Sequence, residues 1–171
     1  MLVDSIDNPF QQVLEEVRMD IAKLDIMKLK AEIAADEGEV FTAYYDSLGN
    51  PTVGKGHLIT KNDIIEIGDT ISKAHSERLF HGDVAAKMIA CKKIYPEIET
   101  YPVPVQEALI TMTYNMGEAN MASFTGFNAT VKSRDWAAVA DFLRNNFKKW
   151  YMQVGSRAKR IEDKFRQSIR R

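Results

Sequence analysis

Two carboxylates, a threonine and a glycine-rich stretch hold the chemistry that can be read from this chain of 171 residues. Glu37 is followed by Gly38. Asp46, nine residues on, closes Tyr44-Tyr45-Asp46, and Thr52, six further, opens Thr52-Val53-Gly54-Lys55-Gly56-His57. A carboxylic acid can give its proton to a departing oxygen while a second, ionised carboxylate acts beside the carbon that oxygen leaves. Cleavage of a glycosidic bond needs both, because its transition state is oxocarbenium-like. A Glu nine residues ahead of an Asp is common by chance, and each could be a solvated helix or turn residue. Thr52 with the Gly54/Gly56/His57 pattern makes coincidence a poor account. The two glycines themselves read as strand positions where backbones approach closely, compatible with a cleft floor, and carry no catalytic role.

These groups need elements to hold them. Asn8, Pro9 and Gln11 read as N-cap, first helical residue and capping-box partner of an amphipathic helix with the stripe Phe10, Val13, Leu14, Val17, Ile21 and Leu24. That helix, or a pair of helices, continues to about Glu37, where Gly38 supplies the stop. From Phe41 to Ile59 the pattern changes to short β-prone pieces separated by Ser47-Leu48-Gly49-Asn50, which predicts a small hairpin. Glu37 thus closes a helix, Asp46 ends one strand and Thr52 begins its partner, so three polar groups from separate elements can converge. Helical periodicity returns after Ser72, a good N-cap, and runs through Leu79, Val84, Met88 and Ile89 until Pro96 forbids it. This long helix could join two lobes. Pro104 opens an apolar helix through Val105, Ala108, Leu109, Met112 and Met116 that ends at Gly117, a core element. Further helices are predicted over 124–132, 135–149 and, after a Ser156 cap, 157–169. Trp136, Phe142, Phe147 and Trp150 supply bulky packing.

Composition narrows the class. At 19.4 kDa with 45% apolar residues the chain suits one domain with its own core. It has no repeat, low-complexity tract or linker that would mark a second one. The single cysteine, Cys91, cannot close an intramolecular disulfide and reads as a buried, inert thiol suited to a reducing cytoplasm. No run is long and apolar enough to span a bilayer, and MLVDSIDNPF lacks the features of an export signal. The net charge of −1 hides an asymmetry. Residues 1–36 carry four basic and eight acidic side chains, whereas 144–171 carry ten basic and two acidic. A basic end attracts anionic wall polymer, membrane or nucleic acid without choosing among them, or is a solvated helix face. His75 and His81 share a helix without a spaced set of further ligands, so neither metal nor cofactor is expected.

The stretch from Glu37 to His57 closely resembles the T4-type phage lysozymes, whose pattern is a helix-terminal Glu-Gly, an Asp nine residues later, a Thr six beyond, then Gly-x-Gly-His. Leu79-Phe80-His81-Gly82-Asp83-Val84, Tyr114-Asn115-Met116-Gly117-Glu118, Ser123-Phe124-Thr125, Trp136, Trp150 and Ser156-Arg157-Ala158-Lys159-Arg160 extend the resemblance over about 29–166. It implies a two-lobed α+β fold, mostly α, within a single domain 1–171. The expected divisions are an N-terminal helical extension 1–28, a lobe with the hairpin 29–71, a connecting helix 72–95 and a helical lobe 96–171. The short interval from His57 to Ser72 should trim the sheet or its loop. The extension pads the core, which is preferred over docking a partner, or belongs to a virion-associated enzyme.

The resemblance also assigns roles. Glu37 becomes the general acid, while Asp46 and Thr52 hold water in an inverting reaction; the spacing alone leaves retention open, since it measures no carboxyl separation. Leu58 and Tyr114, the latter in place of a family Phe, match saccharide contacts, whereas Phe127 and Phe142 stand where the family has a polar Ser and Asn. Arg157 is expected to pair with Glu37 and pull its proton affinity down, against the helix dipole and burial, which push it up. Spacing does not say which wins. His57 is expected to pair with Asp83 as a structural histidine. The reading is therefore a muramidase cutting the β-1,4 link between N-acetylmuramic acid and N-acetylglucosamine of bacterial peptidoglycan, expected as a monomer with no nucleic-acid partner and no integral membrane segment. It would act from the host cytoplasm through a holin-type lesion. A non-hydrolytic glycan-binding module, a tail-associated lysozyme and a basic nucleic-acid binder are the alternatives.

Overall fold

The computed structural model describes residues 25–169. Within it eight α-helices accompany a three-stranded antiparallel sheet, the mostly helical α+β architecture expected. The amphipathic stripe from Phe10 to Leu24 lies outside the described residues. Helix α1 (Ile26–Glu37) starts where the Asp25 carboxylate accepts a hydrogen bond from the Lys28 amide at 2.9 Å, which satisfies one of its orphan N–H groups. Leu29 and Ile33, one turn apart, are fully buried. The helix stops at Glu37 because Gly38 takes a φ of +67°, a value that residues with a Cβ avoid.

Strands β1 (Val40–Tyr45), β2 (Pro51–Gly54) and β3 (His57–Leu58) follow, in that spatial order. Tyr44 pairs with Thr52 and Thr52 with Leu58, while Val53 pairs with His57. Paired residues share a face and successive ones alternate, so Tyr44, Thr52 and Leu58 line one side. Ala43 and Val53 turn to the other, where with Ile65 and Ile71 they form a small apolar cluster. β3 is only two residues long, in keeping with the short interval to the next helix.

Helix α2 (Lys73–Ile94) begins at the Ser72 cap, whose hydroxyl accepts from the His75 amide at 3.0 Å, and ends at Tyr95, just before Pro96. At 22 residues it is about 33 Å long. Leu79 packs against the small cluster, and Phe80, Val84, Met88 and Cys91 enter a larger one. That larger cluster is centred on α3 (Val103–Met116), in which every residue from Val105 to Thr113 is buried. Around it lie α4 (Glu118–Ser123), α5 (Thr125–Lys132), α6 (Trp136–Asn146), α7 (Lys148–Val154) and α8 (Ser156–Gln167). Leu29 and Ile33 of α1 belong to this helical cluster and not to the one behind the sheet.

Three details differ from the reading of the sequence. Ser156, predicted as a cap, is instead the first residue of α8, which starts directly after Gly155 without a side-chain cap. α4 was not expected, since six residues are too few to display a helical period. The helix predicted over 135–149 breaks at Phe147, which has φ −104° and ψ 34°. Asn145 and Asn146 are weak helix formers, and the Phe147 ring packs edge-on against Phe124, Phe127 and Trp150. Phe127, fully buried at the centre of these rings, is core. Among the described residues no helix is long and apolar enough to cross a membrane.

Candidate active site

Glu37 reaches the surface of α1 at its last residue, with its carboxyl largely covered. Oε1 accepts from Arg157 Nη1 of α8 at 3.3 Å. Oε2 faces the turn between β2 and β3 so closely that a Cβ added to Gly56 would sit 3.5 Å from it. Burial holds the Glu37 carboxyl above the usual carboxylate range; Arg157 pulls it down, Asp36 pushes it up, and a hydrogen bond with Asn115 lowers it. Desolvation therefore outweighs the guanidinium, deciding the contest that spacing left open.

Asp46 experiences the opposite environment. It follows β1, and its Oδ1 accepts from the amides of Asn50 at 2.8 Å and Leu48 at 2.9 Å, while the Asn50 side chain donates to Oδ2 at 3.3 Å. Those bonds, the Asn50 amide foremost, stabilise the charged form and hold its carboxyl below the ordinary value. Thr52 is buried, and its hydroxyl donates to the Asn50 carbonyl at 3.0 Å. Asp46 and Thr52 thus meet through Asn50, which the sequence reading saw only as a turn residue. Leu58, cross-strand from Thr52, is half exposed on the same face.

The helices contribute further contacts around Glu37. The Tyr114 hydroxyl donates to the Lys55 carbonyl at 2.8 Å, so α3 and the β2–β3 turn are tied at the point where Glu37 also approaches. Asn115 beside it accepts from Trp150 Nε1 at 2.8 Å. Trp150 belongs to α7, the helix that starts after the break at Phe147. Arg157 also donates from Nη2 to the Asp36 carbonyl at 2.7 Å. His57 is paired with two other carboxylates. Its Nδ1 lies 2.9 Å from Asp83 Oδ2 and its Nε2 3.1 Å from Asp63 Oδ2. Burial alone would lower its proton affinity, yet Asp83 and then Asp63 hold it raised.

The structure therefore joins Glu37 to Arg157, His57 to Asp83 and Asp46 to Thr52 through Asn50. Sequence reasoning missed Asn50, Asn115, Asp36 and Asp63 as partners. Asn115 lay inside a quoted motif and Asp36 next to Glu37, but neither type nor spacing announced a role. No group of three or more metal-ligating side chains assembles among the described residues.

Residues 34–166 match the family model described as phage lysozyme. The chain is 30% identical to "Probable T4-type lysozyme 2" of Dictyostelium discoideum over 80% of its own length and 92% of that protein's. A second protein of that organism, "Probable T4-type lysozyme 1", is 29% identical over the same shares. "Pre-baseplate central spike protein Gp5" of Enterobacteria phage T4 is 27% identical over 93% of this chain, which spans 31% of the spike protein. The class so defined is a glycosidase that hydrolyses peptidoglycan. The chain belongs to the phage lysozyme family.

Proposed function

We propose that this protein is a muramidase that hydrolyses the β-1,4 bond between N-acetylmuramic acid and N-acetylglucosamine with inversion, Glu37 acting as acid and Asp46 with Thr52 as the holder of water. The observation that carries this reading is that the two carboxyl groups are driven in opposite directions, Glu37 toward the acid and Asp46 toward the ion. Environments that separate two carboxyls in this way assign the donor and the acceptor. Glu37 gives its proton to the glycosidic oxygen as the C1–O bond breaks. Water attacks C1 from the opposite face and passes a proton to Asp46, and exchange with solvent restores both groups. Thr52 donates to Asn50, so its lone pairs accept the water's second O–H and aim the water's own lone pair at the sugar. Leu58 and Tyr114 provide apolar surface for the saccharide.

Clearing of chloroform-permeabilised Gram-negative cells tests the assignment. Glu37→Gln remains folded by circular dichroism and loses lysis by two orders of magnitude or more, a scale set by general acid catalysis, roughly 10²–10⁴-fold. Near wild-type clearing by that variant rejects it. NMR of the first-formed product anomer separates inversion from retention.

Where the enzyme works is a second question. Release from a host cytoplasm through a membrane lesion is one setting, consistent with a lysis role. Entry is the other, supported by similarity along 93% of the chain to a protein named as a phage spike. Detection of the chain in purified particles would favour entry; its presence only in lysates favours release.

A further inference from the structure

Arg157 does not meet Glu37 as a two-pronged pair. Of its three described contacts only one reaches the Glu37 carboxyl, at 3.3 Å. The other two fall on Asp36: Nη2 donates to the backbone carbonyl at 2.7 Å, and Nε lies 3.4 Å from Oδ2. A guanidinium that could grip one carboxylate with both arms is instead divided between neighbours. Asp36 is in turn held from the far side, since its Oδ1 accepts from Arg160, one turn farther along α8. The four side chains form a line, Arg160, Asp36, Arg157, Glu37, with Asp36, Arg157 and Glu37 all largely covered. The other groups facing Glu37 are Asn115 and the Tyr114 phenol from α3 and the backbone of Gly56 from the β2–β3 turn. Lys55, beside that turn, is occupied by Glu77.

We propose that Asp36 is a positioning residue that withholds Arg157 from full pairing with Glu37, so that the guanidinium orients the acid without stripping it of its proton. This rests on the reading of Glu37 as general acid. Without the Asp36 charge, Arg157 loses the partner of its Nε and, held on this side only by the Asp36 backbone carbonyl, can shift toward Glu37; a negative neighbour of Glu37 is lost as well, and both changes favour the ionised acid. Arg160 acts in the reverse sense through Asp36: while it holds Oδ1, Asp36 has less hold on Arg157.

The test uses the full chain and two readouts, the pH dependence of clearing and the titration of the Glu37 carboxyl followed by ¹³C NMR, assigned with Glu37→Gln. Asp36→Asn is expected to move both the Glu37 titration and the alkaline limb of the rate profile to lower pH by about half a unit, on the order of a threefold loss of rate on the alkaline side. Arg160→Gln is expected to move them to higher pH in the wild-type background and to have no such effect in the Asp36→Asn background, because the coupling runs through that carboxylate. An unshifted Glu37 titration in Asp36→Asn, or an Arg160→Gln shift equal in both backgrounds, overturns the proposal. If the titration moves as stated while the rate profile stays in place, the division of Arg157 stands and the reading of Glu37 as the acid falls.

Discussion

His57 illustrates how much a single side chain depends on what faces it. Glycine-rich neighbours invite a functional reading, but both ring nitrogens are taken by carboxylates, Asp83 on α2 and Asp63 in the loop after β3. The histidine therefore fastens the sheet to the long helix. Because it binds its proton more tightly folded than unfolded, the stabilisation is complete below the free-histidine value of about 6.5 and fades as pH rises through the raised folded value. Asp83→Asn should accordingly cost about 1–3 kcal/mol near pH 5 and clearly less near pH 9, a difference that urea denaturation at the two pH values measures. An equal loss at both would mean that the pair contributes through shape alone.

Among the elements, β2 shows how local backbone and distant packing are matched. Gly54 has φ +66°, and an added Cβ would stand 2.9 Å from Ser76 Oγ on α2. That hydroxyl is itself committed, donating to Glu39 Oε1 at 2.8 Å, so it cannot simply swing aside. Gly54→Ala combines an unfavourable backbone region with a clash and should destabilise by about 2–4 kcal/mol. Ser76→Ala in the same chain should recover the part due to the clash, leaving a backbone cost of about 1 kcal/mol in thermal unfolding. The sheet's register against α2, and with it the face carrying Thr52 and Leu58, depends on this close approach.

Across the whole molecule, the ends of the described chain are locked together by buried charge. Lys164 of α8 pairs with Glu107 of α3 and lies 3.0 Å from Glu32 of α1. Glu107 is buried, so removing the cation leaves an uncompensated carboxylate inside the helical cluster. Lys164→Met should lose about 2–4 kcal/mol in chemical denaturation even though the new side chain is apolar. Replacing Lys164 and Glu107 together by apolar residues should recover most of it. Among the described residues, the basic character from 144 to 169 is thus largely spent internally: Arg144, Arg157, Lys159, Arg160, Lys164 and Arg166 each meet a carboxylate. A charge count could not separate this from an exposed cationic face.

What the sequence determined by itself was local. Ser72, Pro96, Pro104 and Gly38 mark helix ends through backbone chemistry confined to a turn or two. The spacing of Glu37, Asp46 and Thr52 places one group on a helix end and two on a hairpin for the same reason. The tertiary structure alone decided the contacts that bridge long intervals. Arg157 lies 120 residues from Glu37, and its division with Asp36, the bond from Trp150 to Asn115 and the second carboxylate on His57 depend on how helices pack. So does the direction in which Glu37 is pushed, because desolvation is a property of everything folded around a group and is written in no single stretch of chain.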